Sequence, residues 1–224
     1  MALSLLKIVC QMGINKINIG IFVSTVLLFG CNNVKEKLPF YNTADFTAEW
    51  IKEGDSEYLQ IHTIDTFALE NQLGNIITKD SLDGFIYVAN FFFTTCPGIC
   101  PKMVSNLQLL QDSFALNKEV KLVSFTVMPS VDSVARLKRY GENHNINPYK
   151  WYLLTGSKER IYTLGRHSYF SEKIPGLKKD SSDFLHTESM LLIDKKGRIR
   201  GIYNGTDKTE VGRVSSNIRT LLNE

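Results

Sequence analysis

Two cysteines, Cys96 and Cys100, lie in the stretch FFFTTCPGICPKM at residues 91–103, which opens with an aromatic run and contains two prolines. Such a pair can form a stabilising disulfide, act as a redox dithiol, or supply two ligands to a metal. A disulfide across so short a loop removes little entropy from the unfolded chain, which favours the two functional interpretations. The chemistry of this protein is therefore expected at these two sulfurs.

The elements on either side of the pair predict which sulfur is the more reactive. FIYVANFFF at 85–93 is free of charge and rich in aromatic and β-branched residues, which is typical of a strand buried on both faces. Apolar residues at helical spacing follow, and they predict a helix as far as about Asn117. A helix N-terminus favours the thiolate, so Cys96 is the expected nucleophile. If both cysteines share the first turn, their Cβ atoms are roughly 5–6 Å apart, within reach of a bridging metal or a disulfide.

A metal site would need at least one further ligand, and two thiolates favour Cu(I) or zinc over magnesium or calcium. Of the four histidines, the first is expected on an early strand and the next two beside polar helix faces, where solvation is the default; they are His62, His144 and His167. His186 differs, because it ends a polar segment, 171–186, directly before an apolar strand. Loops on a rigid scaffold often carry function, so His186 is a candidate ligand, and a solvated loop histidine is the alternative.

Composition limits the class of protein. The chain has 224 residues, 43% of them apolar, which is enough for one domain with a real core and excludes a disordered or fibrous protein. A formal net charge of +3 gives no indication of nucleic-acid binding. The only cysteines are Cys10, Cys31, Cys96 and Cys100, too few for a disulfide-scaffolded fold.

The N-terminus resembles an export signal. Residues 17–29, INIGIFVSTVLLF, form an apolar run of 13 residues after Lys16, shorter than the ~20 that a spanning helix needs. The run ends in LLFGC, which resembles the lipobox of bacterial lipoproteins and would make Cys31 the lipid attachment site. We therefore predict a lipoprotein-type signal peptide at 1–30, a flexible tether at 31–45 and a domain at 46–224, anchored in the cell envelope on the extracytoplasmic, periplasmic side.

Two alternatives to this N-terminus stay open. The first is an uncleaved anchor in which Cys31 is incidental. The second is a start at Met12, which would remove Cys10 from the protein.

The rest of the chain predicts an α/β fold with a mixed sheet. FTAEWI and YLQIHTIDTFAL are expected to be early strands, and VKLVSFTV, WYLLTG and the SMLLID–IRGIYNG hairpin, with Gly197 in its turn, are later ones. Between them we predict a helix capped by Ser130, a helix opened by Ser157, and a final helix with a capping box of Asp207 and Glu210.

Four stretches of the chain, taken in order, resemble the Sco/SenC family, the thioredoxin-like copper chaperones of cytochrome c oxidase assembly. They are FFFTTCPGICPKM, LVSFTVMPSVDS, WYLLTG and LHTESMLLIDKKGRI. The resemblance runs from about Ile64 to the C-terminus. It implies a thioredoxin-like fold with an N-terminal β-hairpin, and a copper site made of Cys96, Cys100 and His186. It also implies binding of Cu(I) and Cu(II), delivery of copper to the binuclear copper A centre of oxidase subunit II, and reduction of that centre's cysteines.

The sequence departs from the family pattern near the expected site. Met128 and Pro129 stand where the family has an acidic residue and proline, which by the softness rule should weaken Cu(II) binding relative to Cu(I). Met128 is an accessory thioether candidate, with core packing as its alternative. Val131 replaces an arginine, and Leu185 replaces an aspartate before the histidine, which leaves Asp183 and Glu188 as candidates to orient the imidazole.

Two rival functions follow from the same dithiol. A metal-independent thiol–disulfide oxidoreductase of the thioredoxin type would use Cys96 and Cys100 and would not require His186. A peroxidase is disfavoured, because Phe93 stands where a threonine is needed and no arginine is close in sequence. We therefore predict a metallochaperone that can also act as a thiol–disulfide reductase.

Overall fold

A computed structural model describes residues 37–171 and 188–224. Within them the order of elements is β1 (Phe40–Tyr41), β2 (Ala48–Glu49), β3 (Ala68–Asn71), β4 (Ile76–Thr78), β5 (Ile86–Phe92), α1 (Ile99–Ser113), β6 (Val120–Thr126), α2 (Val134–Asn143), β7 (Trp151–Thr155), α3 (Lys158–Thr163), β8 (Ser189–Ile193), β9 (Ile199–Asn204) and α4 (Glu210–Leu222). Short 3₁₀ helices occupy Ser56–Gln60 and Asp80–Leu82, and a π-helical turn, Leu164–Ser168, extends α3.

A seven-stranded mixed sheet forms the centre of the domain, in the order β4-β3-β7-β6-β5-β8-β9. The strands β5, β6 and β7 are parallel, and β8 runs antiparallel to β5 on its other side. Every residue of β5 is buried, as predicted for a strand covered on both faces. The carboxyl ends of β5, β6 and β7 therefore share one edge of the sheet with the start of β8.

Helices cover both faces of this sheet. Apolar residues of α1, α2 and α4 pack on one face, and α3 with Ile64 and Phe67 packs on the other. A separate two-stranded sheet, β1 with β2, forms the N-terminal hairpin. The thioredoxin-like α/β fold with an N-terminal hairpin is thereby confirmed. The β8–β9 hairpin is confirmed as well, and Gly197 adopts φ +76° in its turn, a conformation that glycine allows without strain.

The early region was predicted less well. FTAEWI contributes only β2. YLQIHTIDTFAL contains the end of a 3₁₀ helix, then a stretch that belongs to no strand, and then the start of β3. His62 is therefore not on a strand. The buried Ile61, Ile64 and Phe67 produce the strand-like pattern by packing, and the Ile64 N–H donates to the carbonyl of Gly197 at the hairpin turn. Phe40, inside the predicted tether, is buried and belongs to β1.

Three helix boundaries also differ from prediction. Helix α1 ends at Ser113, not near Asn117. Helix α2 is capped by Ser133, whose Oγ accepts from the N–H of Arg136, because residues 128–132 first form a turn onto the carbonyl of Met128; Ser130 is not the cap. Helix α4 begins at Glu210 without the predicted capping box, since the Asp207 carboxylate accepts from the N–H and Oγ1 of Thr209 before the helix starts. Ser157 caps α3 as predicted.

In the part of the chain that the structure describes, no helix has the length and apolarity required to cross a membrane.

Candidate metal centre

Cys96 and Cys100 come together where the chain leaves β5 and enters α1. Helix α1 begins at Ile99 after Gly98, so only Cys100 is helical and the two cysteines do not share a helical turn. Pro101 is accommodated because it falls in the first turn, where a backbone N–H is not needed. The two cysteines are nevertheless in hydrogen-bond contact through their side chains, and both are free and largely buried thiols.

The two thiols have opposite pKa shifts. Burial raises the pKa of Cys96, but hydrogen bonds from the Cys100 backbone, the Cys100 side chain and the backbone of Gly98 and Ile99 outweigh it, so the net pKa is lowered. For Cys100, burial, the hydrogen bond with Cys96 and the charge of Cys96 raise the pKa. Cys96 is therefore the nucleophile of the pair, as the strand-to-helix position predicted.

A buried aspartate lies beneath this loop. The Asp132 side chain is fully buried, and its carboxylate accepts hydrogen bonds from Thr94 and Thr126. Asp132 was not identified from the sequence as a residue of the site. The signal that it has a role at the site is the pair of threonines placed near the ends of the adjacent parallel strands β5 and β6.

Aromatic side chains enclose the dithiol on the side of α2. Phe92 and Tyr140 have ring centroids 5.7 Å apart, and both pack in the core cluster that contains the two cysteines. Burial raises the pKa of the Tyr140 phenol, and the nearby charges of Cys100, Asp132 and Cys96 raise it further. These groups therefore share one poorly hydrated environment.

The backbone of Met128 lies at the same edge of the sheet. It follows Thr126, the last residue of β6, which is paired with Phe92 at the end of β5. The side chain of Met128 is half-buried, and its N–H donates to Thr126 Oγ1 at 3.1 Å. Its role as an accessory ligand stays a prediction.

His186, Asp183 and Cys31 lie outside the described residues. The strand after His186 is described: β8 starts at Ser189, and its register with β5, Ala89 opposite Leu191, brings that start beside the carboxyl end of β5. Glu188 is exposed, with Thr206 Oγ1 at 3.5 Å from its carboxylate.

The other histidines are accounted for by local contacts or exposure. His62 Nε2 is 2.8 Å from the carbonyl oxygen of Ser168. The His144 ring stacks on Tyr140, and His167 is exposed. Within residues 37–171 and 188–224, no three or more histidine, cysteine, aspartate or glutamate side chains cluster in a way that could hold a metal.

A thioredoxin-like domain with a reactive thiol pair at the carboxyl edge of its central strands defines a class of dithiol proteins that exchange disulfides or bind soft metals. The family model described as SCO1/SenC matches residues 56–223 of this chain. The chain therefore belongs to the SCO1/SenC family.

Solved structures that are similar to this chain include the following three proteins. A SCO1/SenC family lipoprotein from Bacillus anthracis str. Ames is 29% identical with a TM-score of 0.63, over 72% of this chain and 95% of that one. The second is BsSco, a member of the Sco family of cytochrome c oxidase assembly proteins in which a disulfide switch was identified. It is 29% identical with a TM-score of 0.61, over 72% of this chain and 94% of that one. Copper-bound ScoI from Arabidopsis thaliana is 26% identical with a TM-score of 0.56, over 71% and 98%.

Proposed function

We propose that this protein is a copper metallochaperone of cytochrome c oxidase assembly. In this function it delivers copper to the binuclear copper A site of oxidase subunit II and reduces the cysteines of that site. Membership of the SCO1/SenC family supports the proposal, as do the copper bound to Arabidopsis ScoI and the assembly role stated for BsSco. The observation that carries it in this chain is the contact between the Cys96 and Cys100 thiols at the end of β5.

The donor set fits copper as the cargo. Two thiolates are soft ligands, and neutral imidazole also suits copper. Ser189, three residues after His186 in the sequence, starts β8 beside the carboxyl end of β5, and this supports His186 as the proposed third ligand.

Reduction of an acceptor would use the same two thiols. Cys96 as thiolate attacks one sulfur of the acceptor disulfide and forms a mixed disulfide, and the other acceptor sulfur leaves as a thiolate. Cys100, after losing its proton, then attacks Cys96 and releases the second acceptor thiolate, which leaves the acceptor reduced and the Cys96–Cys100 pair oxidised. The lowered pKa of Cys96 and the raised pKa of Cys100 support this order of attack.

A Cu(I) titration against a competing chelator tests the metal function. We expect the reduced full chain to bind one Cu(I) at this site, Cys96→Ser with Cys100→Ser to abolish that binding, and His186→Ala to weaken it by at least about tenfold. His167→Ala, at an exposed histidine, is the matched control.

The outcomes separate the candidate functions. Binding that survives His186→Ala unchanged would contradict the three-ligand site. Failure of the reduced wild type to bind Cu(I) at all would favour the metal-independent oxidoreductase, which the contacting thiols of Cys96 and Cys100 also support.

Attachment to a membrane through a lipid on Cys31, with the domain on the extracytoplasmic side, is part of the same proposal. It is supported by the LLFGC stretch and by the similarity to the Bacillus anthracis lipoprotein. Mass spectrometry of the mature protein is expected to show diacylated Cys31 as its first residue. An unmodified N-terminus upstream of Cys31 would contradict it.

A further inference from the structure

The buried carboxylate of Asp132 joins two segments at the carboxyl edge of the sheet. Its Oδ2 accepts from the backbone N–H of Thr94 at 3.1 Å and from Thr126 Oγ1 at 2.5 Å, and its Oδ1 accepts from Thr94 Oγ1 at 2.5 Å. Arg136 Nε lies 3.7 Å from Oδ1 and donates to Thr94 Oγ1 at 2.8 Å. Each carboxylate oxygen is thus engaged, and Thr94 is held at both its backbone and its side chain.

The same group of contacts fixes the turn that carries Met128. Thr126 Oγ1 accepts from the N–H of Met128, and the carbonyl of Met128 accepts from the N–H of Asp132 at 2.8 Å. The loop after β5 is therefore hydrogen-bonded to the Asp132 side chain, and the turn after β6 is connected to the same side chain through Thr126. Thr94 is two residues before Cys96, whose N–H donates to the carbonyl of Phe93.

A fully buried carboxylate is an energetically unfavourable group with which to connect two loops. Taking a carboxylate out of water is unfavourable unless it is well paired. Asp194, the comparable buried aspartate at the opposite end of the sheet, has Arg198 at 2.8 Å and Arg200 at 3.2 Å. Asp132 has neutral donors and one arginine at 3.7 Å whose side chain is 39% exposed. Asp132 is thus fully buried with fewer charged partners than Asp194, at a position where it holds the loop that carries Cys96.

We infer that Asp132 is a positioning residue of the dithiol site: through Thr94 it holds the chain entering Cys96 so that the Cys96 sulfur lies against the N–H groups at the start of α1. The inference rests on the proposed use of the Cys96–Cys100 pair and adds a residue to it. Those N–H groups, from Gly98, Ile99 and Cys100, hydrogen-bond to the Cys96 sulfur. A loop released from Asp132 would sample orientations in which the sulfur loses them.

Alkylation of the reduced, copper-free full chain tests this role. The rate at Cys96 with iodoacetamide at pH 7 would be followed by peptide mass spectrometry, so that Cys10 and Cys31 do not contribute. We expect Asp132→Asn to slow alkylation of Cys96 by at least about threefold, because the sulfur is no longer held at the start of α1. Asp194→Asn, the matched buried control, should leave the rate within about 1.5-fold, since β5 separates the two sites by roughly 20 Å.

A second pair of variants protects the test against misfolding of Asp132→Asn. Thr94→Val keeps the shape and the backbone N–H but removes the hydroxyl, and should also slow Cys96. Thr94→Ser restores the hydroxyl and should return the rate to that of the wild type. Circular dichroism of each variant shows whether it is folded, so that a slower reaction is not mistaken for a loss of structure.

Each outcome has a defined meaning. An unchanged rate in Asp132→Asn and Thr94→Val overturns the positioning role, and so does an equal slowing in Asp194→Asn. A faster reaction in Asp132→Asn would mean that the charge repels the thiolate more than it positions it, which also overturns the inference. If wild-type Cys96 itself is not preferentially alkylated, the proposed function of the pair fails instead.

Discussion

The thiols of Cys96 and Cys100 hydrogen-bond to each other, yet the pKa of the first is lowered and that of the second is raised. The asymmetry arises because Cys96 precedes α1 and faces its free N–H groups, whereas Cys100 lies inside the first turn and is more deeply buried. A pair arranged in this way has a defined order of reaction.

The pH dependence of alkylation should reveal this order. Because the pKa of Cys96 is lowered, its alkylation rate should reach half of its maximum at a lower pH than that of an ordinary cysteine. Because the pKa of Cys100 is raised, it should stay largely unmodified up to about pH 9. Peptide mass spectrometry after brief treatment at pH 6 to 9 measures both, and faster labelling of Cys100 than of Cys96 would contradict the assignment.

Substitution of Met128 tests its accessory role at the copper site. Its side chain is half-buried, and methionine adapts well to packing, so we expect Met128→Leu to leave the Cu(I) affinity within about twofold. The same chelator competition measures it, with Met103→Leu, a substitution of a buried methionine in α1, as the control. A loss beyond tenfold confined to Met128→Leu would assign the thioether to copper.

A chain of buried hydrogen bonds in the sheet should contribute to stability. Trp151 Nε1 donates to Ser124 Oγ at 2.8 Å, and Ser124 Oγ donates to Asn90 Oδ1 at 2.5 Å. Ser124→Ala leaves both partners unsatisfied, so we expect the free energy of unfolding to fall by about 1–3 kcal/mol. Urea unfolding followed by circular dichroism measures this change. Ser113→Ala, at an exposed hydroxyl, should cost far less, and an equal loss would argue against the buried chain.

The buried guanidinium of Arg200 should contribute strongly to the free energy of unfolding. Its guanidinium, 2% exposed, pairs with Asp194 and Glu224 and donates to the carbonyls of Leu38 and Pro39. Removing one partner of a buried ion pair typically costs about 3–5 kcal/mol, so Arg200→Met should lower the free energy of unfolding by that order.

The control for Arg200 is an exposed ion pair. Arg213→Met removes the exposed pairing with Glu210 on α4 and a contact with the Tyr203 ring, and it should cost less than about 1 kcal/mol. Proteolysis near residue 38 should accelerate in Arg200→Met but not in Arg213→Met. Equal unfolding midpoints for the two variants would contradict the importance of Arg200.

The elements around the dithiol could be predicted from sequence because their hydrophobic pattern is periodic and local. The fully buried β5, the α1 residues Met103 and Leu107, and the hairpin turn at Gly197 all follow such rules. The cap at Ser133 was missed because Ser130 is an equally good capping residue, and only the turn onto Met128 decides between them.

The role of Asp132 could not be read from the sequence in the same way. Its partners, Thr94 and Thr126, come from two other segments, and only the parallel register of β5 and β6 brings them together. The proximity of the end of β5 to the start of β8 has the same origin, since it depends on an antiparallel register. Long-range register is set by the packing of whole strands, which local propensity does not encode.

The position of β8 between β5 and β9 has a consequence for how the domain can open. Because β8 is hydrogen-bonded to both neighbours, Ser189 is held opposite Asn204 and cannot leave the edge at which β5 ends unless the β8–β9 ladder breaks. Residues 190–193 of this strand are buried, and the opening of a buried central strand requires close to the full free energy of unfolding. The start of β8 should therefore stay in place during the local fluctuations that loosen the ends of the domain.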